Sequence, residues 1–118
     1  KKFKVEGNTK ETASKLLKEA RLIENAGAFS IVLECLSPKA SKIVTENIKI
    51  PTIGIGAGPD CDGQVLVLHD LLGITMDFSP RFLRRYLNLA ESIDGAVKQY
   101  CDDVRTGDFP NDSESYTS

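Results

Sequence analysis

One carboxylate interrupts an apolar run near the start of the sequence. Residues 29–36 read FSIVLECL, and Glu34 is the charged residue among them. An unpaired carboxylate is expensive to bury, so a glutamate at this position needs a reason. Side chains alternate between the two faces of a strand, so Glu34 shares a face with Val32 while Leu33 points to the more apolar side.

Two roles suit Glu34. If helices cover the more apolar face, Glu34 lies at the carboxyl end of its strand on the other face, where the catalytic groups of α/β barrels cluster. A carboxylate in that place can act as a general base. Alternatively, Glu34 forms an ion pair with a Lys or Arg from a neighbouring loop. The position of Glu34 alone leaves both roles open.

A second feature is the run IGIGAG at residues 53–58, in which every second residue is glycine. Its likeness to a dinucleotide fingerprint is superficial, because Pro59 stands where the third glycine of G-x-G-x-x-G is needed. Small residues here either let the backbone approach a ligand, with Ile53 or Ile55 lining an apolar wall, or form a tight corner between strand and loop.

Four other polar residues are weaker candidates for a catalytic or metal-binding role. His69 and Asp70 are adjacent, so on a strand they point to opposite faces, and a lone histidine is more often structural. Asp60 and Asp62 lie in a turn, where acidic side chains usually accept hydrogen bonds from local backbone donors. No carboxylate spacing predicts a metal site, and the basic run RFLRR at 81–85 is typical of the solvent face of a helix.

The elements that must position these residues follow from hydrophobic periodicity and capping signals. Asn8 is the predicted cap of the first helix, Gly27 its terminator, and Ser37 with Pro38 the start of the second. The pattern predicts these segments: helix 9–26, strand 29–35, a short helix after Ser37, strand 51–56, a third apolar strand over 64–70, a basic helix over 80–89 and a helix over 92–104. Strands that alternate with helices predict an α/β fold with a parallel sheet.

Length and composition limit the classes of protein. The 118 residues fit one domain, 1–118, with a loosely held polar tail at 107–118. A net charge of -2 argues against nucleic acid or an anionic membrane as partner. Three cysteines without C-x-x-C spacing indicate a reducing, cytoplasmic setting. No run approaches the roughly 20 apolar residues of a membrane span, and no signal peptide opens the chain.

The stretch VLECLSPKASKIVTENIKIPTIGIGAGPDCDGQVLVLHDLLGI resembles the ketopantoate hydroxymethyltransferase family, as do FKVEGNT near the start and GDFPNDSESY near the end. The resemblance implies the C-terminal part of a (β/α)8 TIM barrel of the phosphoenolpyruvate mutase/isocitrate lyase superfamily, followed by C-terminal helices. It also implies a homodecamer when the protein is complete. Three strands alone are too few for a closed barrel, which typically needs about 250 residues.

The resemblance further implies a reaction and roles for three residues. The family transfers a hydroxymethyl group from 5,10-methylenetetrahydrofolate to 3-methyl-2-oxobutanoate, a 2-oxo acid, and forms 2-dehydropantoate on the way to pantothenate and coenzyme A. Glu34 corresponds to the proton acceptor, and Ile55 and Val67 to the apolar wall of the substrate pocket. The family's Mg2+ ligands fall in the amino-terminal half, so no metal ligand is expected in this chain.

On this interpretation the chain is the carboxyl-terminal half of an enzyme. We expect it to be inactive and poorly folded by itself, because an open half-barrel exposes strand edges and an apolar interior. Two other hypotheses stay open: a small βαβ module that binds a nucleotide through IGIGAG, and a non-catalytic segment that serves assembly.

Overall fold

The described chain alternates strands and helices around a small sheet. The computed structural model describes residues 4–116. Its elements are α1 (Lys10–Asn25), β1 (Ile31–Glu34), α2 (Pro38–Asn47), β2 (Thr52–Ile55), β3 (Gly63–Gln64), α3 (Leu68–Leu71) and α4 (Leu89–Thr106). The predicted α/β class is confirmed.

The sheet has the order β1-β2-β3, and both pairs of neighbours are parallel. Each residue of β1 lies beside one of β2, from Ile31 beside Thr52 to Glu34 beside Ile55. Just beyond β1, Glu6 forms an isolated parallel bridge with Leu36. Because parallel strands run in one direction, their carboxyl ends meet at one edge of the sheet.

Helix α1 is capped one residue later than predicted. The Thr9 hydroxyl accepts the backbone N–H of Thr12 at 3.2 Å, and the Thr12 hydroxyl accepts that of Thr9 at 3.1 Å. This reciprocal capping box satisfies two N–H groups at the helix start. The predicted cap, Asn8, instead donates from Nδ2 to the carbonyl of Val5 at 2.8 Å. Gly27 has a φ of 94° and follows the end of the helix as predicted.

Helix α2 begins where the sequence predicts. The Ser37 hydroxyl accepts the N–H of Ala40 at 3.2 Å, and Pro38 is the first helical residue. The buried core joins α1, β1, α2 and the loop after β2, and it contains Ala20, Leu33, Leu36, Val44 and Ala57. Burial of these apolar residues holds the two helices on one face of the sheet.

The third predicted strand is much shorter than expected. The apolar run over 64–70 contributes only the end of the two-residue strand β3, and its last residues belong to the helical turn α3. A short apolar run fits a buried strand and a buried helical turn equally well, so periodicity could not separate them. The interpretation of His69 and Asp70 as neighbours on a strand is therefore wrong.

The basic helix predicted over 80–89 does not form. This segment is irregular until α4 begins at Leu89. The guanidinium of Arg85 donates from Nη2 to the carbonyls of Thr75 at 3.1 Å and Phe78 at 2.6 Å. Arg85 is half-buried and holds a loop together, so it does not lie on the solvent face of a helix.

Contacts divide the described chain into two compact units. The first holds the residues up to Val67 together with Ser79–Leu83, and it contains the sheet and the core. The second holds Leu68–Phe78 and the residues from Arg84 onward, including α4, which has no buried residue. The single-domain assignment stays a prediction. Within residues 4–116, no helix is both long and apolar enough to cross a membrane.

The predicted loose tail at 107–118 is exposed as far as the structure describes it. Gly107, with a φ of 78°, ends α4. Beyond it the side chain of Asn111 accepts the N–H of Ser113 at 2.9 Å and its hydroxyl at 2.6 Å. The tail thus contains local hydrogen bonds, and its looseness stays a prediction.

Candidate active site

Glu34 and Ile55 lie side by side at the carboxyl end of the sheet. They are the last pair in the register of β1 with β2. Paired residues on neighbouring strands project to the same face, so the carboxylate of Glu34 and the branched apolar side chain of Ile55 lie together. Two residues earlier, Val32 and Ile53 form an apolar pair on the same face. The candidate site is therefore a carboxylate, that of Glu34, beside an apolar surface formed by Ile55, Val32 and Ile53.

This face of the sheet is open in the described chain. Glu34 is exposed and Val32 is 59% exposed, whereas Leu33, on the opposite face, is 5% exposed. The alternation predicted for this strand is thus confirmed. Helices α1 and α2 cover only the Leu33 side.

The ion-pair alternative for Glu34 is not realised in the described part of the chain. Within residues 4–116, the salt bridges join helical residues three or four apart and leave Glu34 out. The free edge of β1, where Val32 and Glu34 lie, borders an open cavity of about 330 Å³ that Ala20 and Ile23 of α1 also line. Glu34 is thus available to a ligand or to further chain.

Both strands of the pair turn sharply at the same place. Cys35 follows Glu34 with a φ of 54°, and Gly56 follows Ile55 with a φ of 64°. Cys35 donates its N–H to the carbonyl of Ile55 at 3.0 Å, and its own carbonyl accepts the N–H of Glu6 at 3.0 Å. A non-glycine residue in the left-handed region is strained, and strain of this kind clusters at functional sites.

The thiol of Cys35 is not a candidate nucleophile. Burial raises the pKa of this thiol above its ordinary value, and the negative charge of Glu34 raises it further. A thiol with a raised pKa holds its proton at neutral pH, and the protonated form is a poor nucleophile. The chemistry at this corner therefore belongs to the carboxylate.

The glycines of IGIGAG make room for neighbouring side chains. A Cβ added to Gly56 would lie 2.9 Å from Cδ1 of Phe82, and one added to Gly58 would lie 2.7 Å from Cβ of Pro38. After Gly58 the chain passes through a turn into β3, so no helix begins there to receive a phosphate. The tight-corner interpretation fits, and the nucleotide-binding hypothesis lacks the geometry that it needs.

A polar network around the buried Thr52 anchors the loop that follows the corner. Thr52 is fully buried, and its N–H and hydroxyl both donate to Oδ2 of Asp62, at 2.8 Å and 3.1 Å. The Thr52 hydroxyl also lies 2.9 Å from that of Thr45. Burial raises the pKa of the nearby Cys61 thiol. Asp62 therefore accepts hydrogen bonds from the N–H and hydroxyl of Thr52 in β2, and not, among the described residues, from the local backbone donors that its place in a turn predicts.

The sequence of this chain matches a known family over nearly all its length. The family model described as ketopantoate hydroxymethyltransferase matches residues 1–112. The chain belongs to the ketopantoate hydroxymethyltransferase family.

Curated relatives agree with this assignment. Proteins named 3-methyl-2-oxobutanoate hydroxymethyltransferase from Chlorobaculum tepidum, Clostridioides difficile and Syntrophus aciditrophicus are 53%, 51% and 49% identical to the chain. The matches cover 97%, 98% and 97% of this chain and 41%, 42% and 42% of the relatives. The chain thus spans about two fifths of the length of these relatives and corresponds to their carboxyl-terminal portion.

The structure brings two of the three predicted site residues together. Glu34 and Ile55 are register partners, whereas Val67 lies between β3 and α3, beyond the paired residues, and is 54% exposed. In α3, His69 is exposed and Asp70 is buried. The roles of Glu34, Ile55 and Val67 in ketopantoate hydroxymethyltransferase chemistry stay predictions.

The described residues do not fit a metal site. Within 4–116, no group of three or more His, Cys, Asp and Glu side chains could hold a metal ion. The magnesium that the family resemblance implies therefore has no ligand set among these residues.

Two residues at the corner, Cys35 and Phe82, have roles that the sequence alone does not indicate. Cys35 read as one more apolar strand residue, and its left-handed backbone has no signature in residue type. Phe82 read as part of a helix over 80–89. Only the glycine spacing of IGIGAG pointed to close packing here, without identifying the side chain that packs against it.

Proposed function

We propose that this chain supplies the base and part of the substrate pocket of a ketopantoate hydroxymethyltransferase. In this reaction the methylene carbon of 5,10-methylenetetrahydrofolate and the oxygen of a water molecule become a hydroxymethyl group on 3-methyl-2-oxobutanoate, and 2-dehydropantoate and tetrahydrofolate form. The observation that carries the proposal is the pairing of Glu34 with Ile55 on the open face of the sheet, in a member of this family.

The chemistry needs a base beside an apolar wall. The proton on C3 of 3-methyl-2-oxobutanoate is made weakly acidic by the neighbouring ketone, and its removal leaves an enolate whose C3 attacks the one-carbon unit. Glu34 accepts this proton as a general base. Ile55, on the same face, packs against the two methyl groups that flank C3, and Val67 extends the apolar wall.

The architecture supports completion of the sheet by further chain. The 114 residues that match the Syntrophus relative make up 42% of it, so that relative has about 270 residues, close to the roughly 250 of a (β/α)8 barrel. The three parallel strands, the open face and the bridge of Glu6 to Leu36 at the free edge of β1 suit one section of such a barrel. In it, the open face becomes the interior.

The same proposal includes a magnesium ion, a folate co-substrate and the assembly of the complete protein into an oligomer. Mg2+, held by residues other than those described here, would stabilise negative charge on the 2-oxo acid, and 5,10-methylenetetrahydrofolate would be the co-substrate. A cytoplasmic setting and a homodecamer of the complete protein also stay proposals. The competing hypothesis is that the chain is a non-catalytic segment that serves assembly. A chimaeric enzyme distinguishes this hypothesis from the proposal.

A chimaera tests the proposal. In it, residues 1–118 replace the matching segment of the Chlorobaculum tepidum relative, to which the chain is 53% identical. With 5,10-methylenetetrahydrofolate, magnesium and 3-methyl-2-oxobutanoate, we expect the chimaera to form 2-dehydropantoate, and the isolated 118-residue chain to form none.

The unmodified relative is the positive control for assay and folding. A chimaera that assembles as the relative does but forms no product contradicts the proposal and favours the assembly hypothesis. Product formation by the isolated chain would show that the rest of the barrel is not required.

A further inference from the structure

The corner that carries Ile55 is held by an aromatic ring from a distant part of the chain. The segment Ser79–Leu83 groups with the sheet by its contacts, although the residues on either side of it belong to the second unit. Within this segment Phe82 is half-buried. Its ring lies against Gly56, so closely that an added Cβ would be 2.9 Å from Cδ1 and 3.1 Å from Cγ.

The contact between Phe82 and Gly56 lies next to the candidate site. Gly56 directly follows Ile55, and the carbonyl of Ile55 accepts the N–H of Cys35, which directly follows Glu34. Four consecutive links therefore connect the Phe82 ring to Glu34: ring to Gly56, backbone to Ile55, hydrogen bond to Cys35, and backbone to Glu34. Gly56 is thus linked through backbone and hydrogen bonds to the last register pair of β1 and β2.

The backbone at this corner needs external support. Ile55 is the last residue of β2, and the chain turns at Gly56 with a φ of 64°, a conformation that glycine adopts freely. A flexible glycine at a strand end has many alternative conformations, and a packed aromatic ring restricts them. Gly54 and Gly58 are packed by side chains nearer in sequence, those of Gln64 and Pro38 among them.

We propose that Phe82 is a positioning residue that holds Ile55, and through it Glu34, in the geometry needed for proton removal from the substrate. This inference rests on the function proposed above. Phe82 does not bind or react with the substrate in this proposal. It fixes the corner, so its loss misplaces the base without removing the carboxylate.

The test measures proton removal directly in the chimaera. Exchange of the C3 proton of 3-methyl-2-oxobutanoate for deuterium in D2O, followed by proton NMR without folate, reports the base step. For Phe82→Ala we expect kcat of exchange per folded molecule to fall about tenfold or more, since small misplacements of catalytic groups are costly, with a smaller change in KM. Phe82→Leu, which keeps more of the packing, should lose less.

Phe109→Ala is the matched control. Phe109 is an aromatic residue, 39% exposed, that packs edge-on against Tyr100 at a centroid distance of 5.4 Å. Its truncation removes an aromatic contact outside the corner, so exchange should stay at the parent rate. Thermal unfolding of all variants shows how much of each is folded.

The outcomes separate the two proposals. If both Phe82 variants exchange at the parent rate per folded molecule, the positioning role is wrong while the proposed function stands. If Phe82→Ala does not fold, Phe82→Leu decides by the same criterion. A folded parent chimaera without exchange overturns the proposed function and this inference with it.

Discussion

Glu34 and Ile55 form the last register pair of two parallel strands, and each is followed by a residue in the left-handed region of backbone conformation. The two turns lie at the same level and are joined by the hydrogen bond from Cys35 to Ile55. A carboxylate and an apolar side chain are thereby presented together at the edge of the sheet where the strands end. This arrangement is what a base acting beside an apolar pocket requires.

The backbone at Cys35 predicts an unusual order of stabilities. Cys35 is buried, so burial alone predicts that Cys35→Val is better tolerated than Cys35→Ala. Its φ of 54° reverses that order, because a β-branched side chain is strongly disfavoured at positive φ. We expect Cys35→Val to be less stable than Cys35→Ala by on the order of 1 kcal/mol or more, seen as a lower thermal midpoint of the chimaera. A more stable Val variant would contradict the described corner.

The network around Thr52 predicts a loss of stability when its acceptor is removed. Asp62→Ala leaves the buried N–H and hydroxyl of Thr52 without their acceptor, which should cost about 1–3 kcal/mol in unfolding free energy. Asp62→Asn keeps one carbonyl oxygen and should lose less. Asp60→Ala, at an exposed position of the same loop, is the control, and denaturant unfolding of the chimaera measures all three. Equal stabilities of the two Ala variants would refute the role of the network.

Alanine substitutions at two glycines distinguish the cost of backbone strain from the cost of steric overlap. Gly27 and Gly58 have φ values of 94° and 80°, so alanine is strained at both. A Cβ at Gly27 meets nothing within 4 Å, whereas one at Gly58 would lie 2.7 Å from the rigid ring of Pro38. We expect thermal unfolding to show a larger loss for Gly58→Ala than for Gly27→Ala. Similar losses would mean that the loop moves away from Pro38 at little cost.

Local signals in the sequence predicted the parts of the fold that local interactions determine. The start of α2 at Pro38 and the turn at Gly27 follow from capping chemistry, and both were predicted. The face of the sheet that carries Glu34 followed from strand alternation. Thr9 was missed as a cap because Asn8, one residue earlier, has an equally suitable side chain.

The parts that could not be predicted depend on contacts between distant residues. The segment over 80–89 has a helical pattern of charges, but Arg85 binds loop carbonyls and Phe82 packs on Gly56. No local pattern encodes either partner. The same holds for Cys35, whose left-handed backbone accompanies two hydrogen bonds to residues distant in the sequence, Ile55 and Glu6.

The isolated chain should aggregate or form an expanded, incompletely folded state. Val32 is 59% exposed on the open face, and α4 carries a stripe of exposed apolar residues, with Val97 and Tyr100 each 54% exposed. An exposed strand edge and apolar surface of this kind promote association. We expect size-exclusion chromatography to show aggregates or an expanded species that binds a hydrophobic dye. A sharp monomer peak with cooperative thermal unfolding would contradict this expectation.

The most direct test of the central claim is proton exchange by the chimaera with Glu34 changed to Gln. The amide keeps the size of the side chain but cannot accept the C3 proton, so we predict that deuterium incorporation into 3-methyl-2-oxobutanoate falls by roughly 10²–10⁴-fold, the range that a general base contributes. Thermal unfolding beside the parent chimaera shows how much of the variant is folded. Exchange by a folded Glu34→Gln chimaera at the parent rate would show that Glu34 is not the base.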